Sequence, residues 1–226
     1  VFKFRIEAPE MAKHAHAGQF LMVRANETGE RVPFTFADWN PEEGWVEFIF
    51  MVIGKTTEML STYEAGDAIQ DVTGPLGQPT EMGEGNWAVI GGGVGLAIAF
   101  PVARQLKATG HEVHAIMGAR TKDLLLLEDQ FRSVLDDEHI HITTDDGSYG
   151  EKGVVTAPLE RLLQEKKVDH VFCVGPVPMM KFSALTAEKY DTPIIASLNP
   201  IMVDGTGMCG CCRVEVGGET KFACVD

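Results

Sequence analysis

Four of the five cysteines fall within the last 18 residues, at Cys209, Cys211, Cys212 and Cys224, while Cys173 stands alone. The segment 197–226 that holds the four is rich in Gly and has little room for a helix. Too short for a hydrophobic core of its own, it has to fold around something else. Disulfides do that in small secreted domains. A chain of 226 residues has room for an ordinary core elsewhere, which leaves a metal or metal–sulfur site as the better reading.

The composition supports a conventional core. Hydrophobic residues make up 45% and charged residues 23%, values of a folded globular chain rather than a disordered, collagenous or membrane-bundle one. The formal net charge of −14 is spread along the whole length and repels phosphate backbones and anionic lipid. Nucleic-acid and membrane-surface partners are therefore not expected. No apolar run approaches the roughly 18–20 residues that cross a bilayer, and Val1–Pro9 is not a basic-then-apolar leader. The expectation is a cytoplasmic protein.

The hydrophobic pattern changes once along the chain. Up to about residue 84 it shows short alternating strands, such as Gly18–Arg24 and Trp45–Ile53, between Gly, Pro and Asn breakers, which predicts an antiparallel barrel. From Asn86 short apolar strands alternate with helical stretches. The predicted strands are Trp87–Ile90, His114–Met117, His139–Thr143, Val171–Val174 and Pro193–Ser197. The predicted helices run to about Lys107, over Lys122–Leu135, around Pro158–Lys166 and around Met179–Lys189, with Pro101 expected to kink or confine the first. Such alternation predicts a doubly wound parallel α/β sheet. The expected organisation is a β-barrel domain at 1–84, an α/β domain at 85–196 and a small module at 197–226.

Gly91-Gly92-Gly93-Val94-Gly95 sits where the first of these strands turns into a helix, the place where backbone N–H groups hold a pyrophosphate. It is not G-x-G-x-x-G, and no acidic residue closes the second strand, so a standard dinucleotide fingerprint is absent. The same glycines also suit a tight strand-to-helix turn with no ligand. Cys173-Val-Gly175-Pro176 ends a late strand, at the sheet edge where ligands bind; Cys173 is there either a nicotinamide neighbour or a small buried hydrophobe.

Asp204, Cys209, Cys212 and Cys224 have the spacing D-x4-C-x2-C-x11-C, close to the C-x4-C-x2-C…C spacing of plant-type [2Fe–2S] loops. The same donors also satisfy a tetrahedral zinc in a non-catalytic nucleotide-binding module, and Cys211 is placed to substitute for a neighbour. In the first domain, Arg31-Val-Pro33-Phe34-Thr35 and Gly54-Lys-Thr56-Thr57 combine cations, hydroxyls and flexible backbone, as a bound diphosphate requires. His14/His16 and His139/His141 are spaced for one face of a strand and read as structural or exposed.

The Arg-x-Pro-Phe-Thr segment, Gly74-Pro-Leu-Gly77, the glycine run and the Val-Gly-Pro exit, in that order and followed by the Cys loop, resemble the ferredoxin–NADP reductase superfamily over essentially the whole chain. Within it the Cys loop resembles two groups, the electron-transfer subunits of dihydroorotate dehydrogenase and the small subunits of NADH-dependent reduced ferredoxin:NADP oxidoreductase. Asp204 in place of a first Cys favours the second. The resemblance implies an oxidoreductase with FAD, NAD(H) and a [2Fe–2S] cluster, in which Arg31, Pro33, Phe34, Thr35, Gly54, Thr56 and Thr57 line the flavin and its diphosphate. The superfamily's usual Arg-x-Tyr-Ser has no Tyr here. Gly92, Gly93, Gly95, Arg120, Asp146, Gly147, Cys173, Gly175 and Pro176 carry over to the nucleotide, with NAD and NADP both open at Arg120, and Asp204, Cys209, Cys212 and Cys224 to the cluster. It further implies a larger FAD and [4Fe–4S] flavoprotein subunit as partner, with ferredoxin reached through it.

Overall fold

The computed structural model describes residues 1–226 as two compact units, one made of Val1–Thr80 with Leu198–Asp226 and the other of Glu81–Ser197. The first contains β1 (Phe2–Glu7), α1 (Pro9–His14), β2 (Phe20–Arg24), β3 (Arg31–Asn40), β4 (Trp45–Phe50), α2 (Lys55–Leu60) and β5 (Asp71–Leu76). Its strands form one antiparallel sheet of order β1-β4-β3-β2-β5, the expected antiparallel architecture. Strand β3 joins its two halves: Arg31–Thr35 pair with β2, and from Phe36 on it pairs with β4, across a bulge between Phe36 and Asp38.

Alternation along β2 explains why the sheet needs two covers. Leu21 and Val23 enter a core with Phe36, Val46, Phe48 and Leu60. Phe20 and Met22, on the opposite face, are also buried, in a cluster with Cys212 and Cys224. The C-terminal segment thus belongs to the same compact unit as the sheet, because its apolar cover is supplied by β2. Gly217 and Gly218, both at positive φ, join β12 (Arg213–Val216) to β13 (Glu219–Phe222), and two such residues make the turn whose twist suits a tight hairpin.

The second unit contains β6 (Trp87–Gly92), α3 (Leu96–Ala108), β7 (Val113–Ala119), α4 (Glu128–Val134), β8 (Ile140–Thr144), β9 (Glu151–Lys152), α5 (Thr156–Gln164), β10 (His170–Val174), α6 (Val177–Glu188) and β11 (Ile194–Ala196). All six strands are parallel, in the order β11-β10-β6-β7-β8-β9, the doubly wound sheet expected from the pattern. Strand order reverses between β6 and β10, which puts a ligand crevice at their carboxyl ends.

Several local expectations need correction. β4 stops at Phe50 rather than Ile53, because its partner β1 begins at Phe2, the residue paired with Phe50. The helix expected over Lys122–Leu135 is broken into a 3-10 turn at Lys122–Leu124 and the short α4, with Leu127 at φ 61 between them. Four consecutive leucines would make a helix apolar on every side, whereas here Leu124 is exposed and Leu125, Leu126 and Leu127 are only half-buried. Pro101 does not stop α3, which runs through it. His14 lies in α1 and His139 in a 3-10 turn, so neither histidine pair forms one face of a strand.

The junction of β6 and α3 is tightly packed. A Cβ on Gly95 would stand 2.4 Å from the Val174 carbonyl oxygen, whereas one on Gly93 would meet nothing within 4 Å. Gly95→Ala is expected to cost about 1–3 kcal/mol through overpacking against backbone that cannot yield. Thermal denaturation of Gly95→Ala should show a drop of several degrees, and an unchanged midpoint would refute the contact.

Candidate cofactor sites

The C-terminal loop gathers its donors around the Asp204 carboxylate. Asp204 Oδ1 accepts from the Thr206 N–H at 2.8 Å and Oδ2 from the Cys209 N–H at 2.9 Å. These bonds, the Thr206 one first, hold the carboxyl below its usual range. The exposed Cys209 thiol is also lowered, chiefly by the Cys211 backbone N–H, which points at its sulfur. Cys211 itself is exposed and its thiol is raised, first by the hydrogen bond it shares with Cys209.

Cys212 and Cys224 lie beneath, both buried against Phe20 and Met22 with their sulfurs 3.1 Å apart. That is far beyond the roughly 2.05 Å of a disulfide. Burial pushes the Cys224 thiol up to about 11, opposed by a hydrogen bond from the Gly207 N–H. The Asp204 charge is felt at Cys209, Cys211 and Cys224. Three sulfurs, a carboxylate with spare lone pairs, and backbone N–H groups aimed at sulfur are what an iron–sulfur loop needs, and the residues fit such a group. Spacing alone did not disclose the N–H donors of Gly207 and Cys211; only the Gly-rich character of the loop hinted at them.

Of the expected flavin residues, Arg31, Pro33 and Thr35 pair with Arg24, Met22 and Phe20 and share the face of β2 that carries Cys212 and Cys224. Arg31 opens into a cleft with Arg24, Asp71, Thr73, Asp204 and Met208. Arg24 is paired with Asp71, which leaves Arg31 as the cleft's uncommitted cation. Phe34 faces the other way and stacks on Phe48 at 4.8 Å between ring centroids. The Gly54–Thr57 segment is a capped helix start rather than a flexible loop. The Thr57 hydroxyl accepts from the Ile53 and Gly54 N–H groups and donates to the Gly54 carbonyl, while Thr56 is outside this cap.

In the second unit, Gly92, Gly95, Gly175 and Pro176 converge at the switch between β6 and β10. A Cβ on Gly92 would meet Met179 Sδ at 2.4 Å and Pro176 Cδ at 3.1 Å, and one on Gly175 would meet the Gly92 nitrogen at 3.1 Å. Close packing therefore explains these glycines. Gly93 differs, having φ 56 and open space beside it, which lets a ligand approach the backbone. Arg120 follows β7, and its carbonyl accepts the Asp146 N–H at 3.3 Å, which brings their loops together. Asp146 is engaged in its own turn, its Oδ1 accepting from the Ser148 N–H and hydroxyl, with Gly147 at positive φ completing it.

Cys173 is placed beneath this crevice edge. It is fully buried in the core with Leu159 and Met180, and burial pushes its thiol up to about 11. Of the two readings its position offered, burial fits the small core hydrophobe; Val174 is the residue that directly precedes the Gly-Pro exit.

Comparison with known proteins agrees with this layout. Residues 199–226 match the iron–sulfur cluster binding domain of dihydroorotate dehydrogenase B, and residues 89–184 match the oxidoreductase NAD-binding domain. A Thermotoga maritima homolog of the dihydroorotate dehydrogenase B (NAD(+)) electron transfer subunit is 51% identical over the whole chain, covering 79% of that protein. The chain belongs to this family of oxidoreductase electron-transfer subunits. A Streptococcus mutans member is 33% identical over 93% of the chain and 81% of its own length. Among solved structures, that of the NADH-dependent reduced ferredoxin–NADP oxidoreductase, studied for flavin-based electron bifurcation, matches with TM-score 0.92 and 50% identity over all of this chain and 81% of its own. Phthalate dioxygenase reductase shares the fold alone, at TM-score 0.66 and 19% identity. No helix is long and apolar enough to cross a membrane.

The loop electrostatics of this family member make a chemical prediction. In metal-free protein near neutral pH, iodoacetamide should label Cys209 before Cys211, because a lowered thiol holds more thiolate and both are exposed. Cys173 should be labelled last. Peptide mass spectrometry over time reads the order, and Cys211 ahead of Cys209 would contradict it.

Proposed function

We propose that the chain is a cytoplasmic FAD- and NAD(H)-binding subunit with a [2Fe–2S] cluster that exchanges hydride with nicotinamide and single electrons with a larger flavoprotein subunit. The larger subunit carries a second FAD and [4Fe–4S] clusters, as in an electron-bifurcating NADH-dependent ferredoxin:NADP oxidoreductase, and ferredoxin is served through it. The observation that carries the reading is the Asp204 carboxylate bonded across the Cys loop to the Cys209 N–H. Similarity to the solved ferredoxin–NADP oxidoreductase over the whole chain supports it.

In this reading residues 1–84 hold FAD, 85–196 the nucleotide and 197–226 the cluster. When bound, the flavin takes the two electrons of a hydride and passes them on one at a time through the iron–sulfur cluster. The protein's own part is placement. The turn at Gly92, Gly93 and Gly95 presents backbone N–H groups to a pyrophosphate at the start of α3. Gly175 and Pro176 shape the exit beside it, while Arg120, Asp146 and Gly147 stand at the ends of β7 and β8 for the rest of the nucleotide. Arg31 is free to neutralise diphosphate charge, alongside Pro33 and Thr35 on the same face, with Phe34 contributing backbone from the same strand and Gly54, Thr56 and Thr57 at the start of α2. Asp204, Cys209, Cys212 and Cys224 hold the cluster, and the Gly207 and Cys211 N–H groups bond to its ligand sulfurs.

A second reading, the electron-transfer subunit of an NAD-dependent dihydroorotate dehydrogenase, is favoured by the match of residues 199–226. The partner separates the two. Affinity purification from the native organism should recover a large flavoprotein with [4Fe–4S] clusters, and recovery of an FMN-containing barrel subunit instead would favour the second reading. Asp204→Cys should retain the cluster and change its visible and paramagnetic resonance spectra, since an oxygen donor is replaced by sulfur. Unchanged spectra would remove Asp204 from the ligand set.

A further inference from the structure

At the amino edge of the parallel sheet, opposite the nucleotide glycines, three histidines and a glutamate meet. Ala115 of β7 pairs with Ile140 of β8, which sets His114 and His139 side by side, their rings 4.7 Å apart. His114 Nε2 lies 3.4 Å and His139 Nε2 3.8 Å from Glu112 Oε1. The ligand-capable atoms of these three residues all lie within 4.8 Å of one another.

One observation points to a ligand here. The His114 side chain is only 6% exposed, and its Nε2, which faces Glu112, makes no hydrogen bond. Such orphaned buried groups are rare in native proteins. His114 Nδ1 is meanwhile occupied, 3.2 Å from His141 Nε2. If His114 donates from Nδ1, its Nε2 lone pair faces Glu112, an arrangement that a cation between them satisfies. A second residue on the far ring nitrogen is also how metal-ligating histidines are held. The nearby Lys167 is paired with Glu165.

We propose that Glu112, His114 and His139 form a binding site for a divalent transition metal, zinc by preference, with water completing the coordination and His141 orienting His114. Zinc bonds of about 2.0–2.2 Å to nitrogen and oxygen put neighbouring tetrahedral ligands about 3.3–3.5 Å apart. The 3.4 Å separation already meets that, and the 3.8 Å one needs a few tenths of an ångström of closure. Two imidazoles and one carboxylate suit zinc better than magnesium or calcium, which take oxygen ligands. The ion would tie the start of β7 to the start of β8, a stabilising role away from the nucleotide crevice.

The test is equilibrium dialysis of the full chain, its iron and sulfide assayed, against micromolar free zinc. Wild type is compared with Glu112→Gln and His139→Gln, and circular dichroism checks that each variant folds. The Cys loop is common to all three, so its zinc cancels in the comparison. Wild type should hold about one zinc per chain more than either variant, with at least tenfold tighter binding, and only wild type should gain thermal stability on zinc addition. Equal zinc contents, or no zinc-dependent stabilisation of wild type, would overturn the site.

Discussion

The burial of Cys212 and Cys224 against Phe20 and Met22 is the contact on which the C-terminal loop depends. A Gly-rich segment with a two-strand hairpin cannot bury enough apolar surface to order itself, since an isolated hairpin is marginal in water. β2 supplies that surface because both its faces are apolar. Leu21 and Val23 belong to the sheet's own core, and Phe20 and Met22 are left for the loop. Each such side chain contributes about 1.5–3 kcal/mol on burial. With Cys212 and Cys224 anchored below, Cys209 is left exposed and Asp204 half-buried above them.

The second unit solves a different problem with glycine. Backbone from β6 and from the exit of β10 comes close enough that side chains at Gly92, Gly95 or Gly175 would collide with it or with Met179. The crevice of a doubly wound sheet opens where strand order reverses, and here that point is β6 beside β10. Packing thus accounts for most of the glycine run and leaves Gly93 as the position whose open space suits a ligand.

How much of this could be read from the sequence depended on whether the deciding interactions were local. The parallel sheet was legible because each apolar strand is followed by a helical stretch, and the iron–sulfur character of 199–226 was legible because its cysteines lie close in sequence. β4 ends where it does because β1 begins at Phe2, a partner more than forty residues away. α4 is short because Leu127, just before it, sits at φ 61, a conformation that a right-handed helix does not include. Cys173 stood at the right strand end, yet alternation along β10 turns it into the core. The histidine cluster was invisible for the same reason: only the pairing of β7 with β8 makes neighbours of His114 and His139. Phe34 was legible as an aromatic in a motif, but not as a ring already stacked on Phe48.

The account stands on one claim, that a nicotinamide site, a flavin and an iron–sulfur loop share this chain. An anaerobic NADH titration followed by visible absorption, with iron and acid-labile sulfide assayed on the same sample, tests it most directly. The account predicts flavin bands over a broad iron–sulfur envelope, both bleached by NADH, with about two iron and two sulfide per chain. A colourless protein without iron, or a coloured one that NADH leaves unchanged, would contradict it.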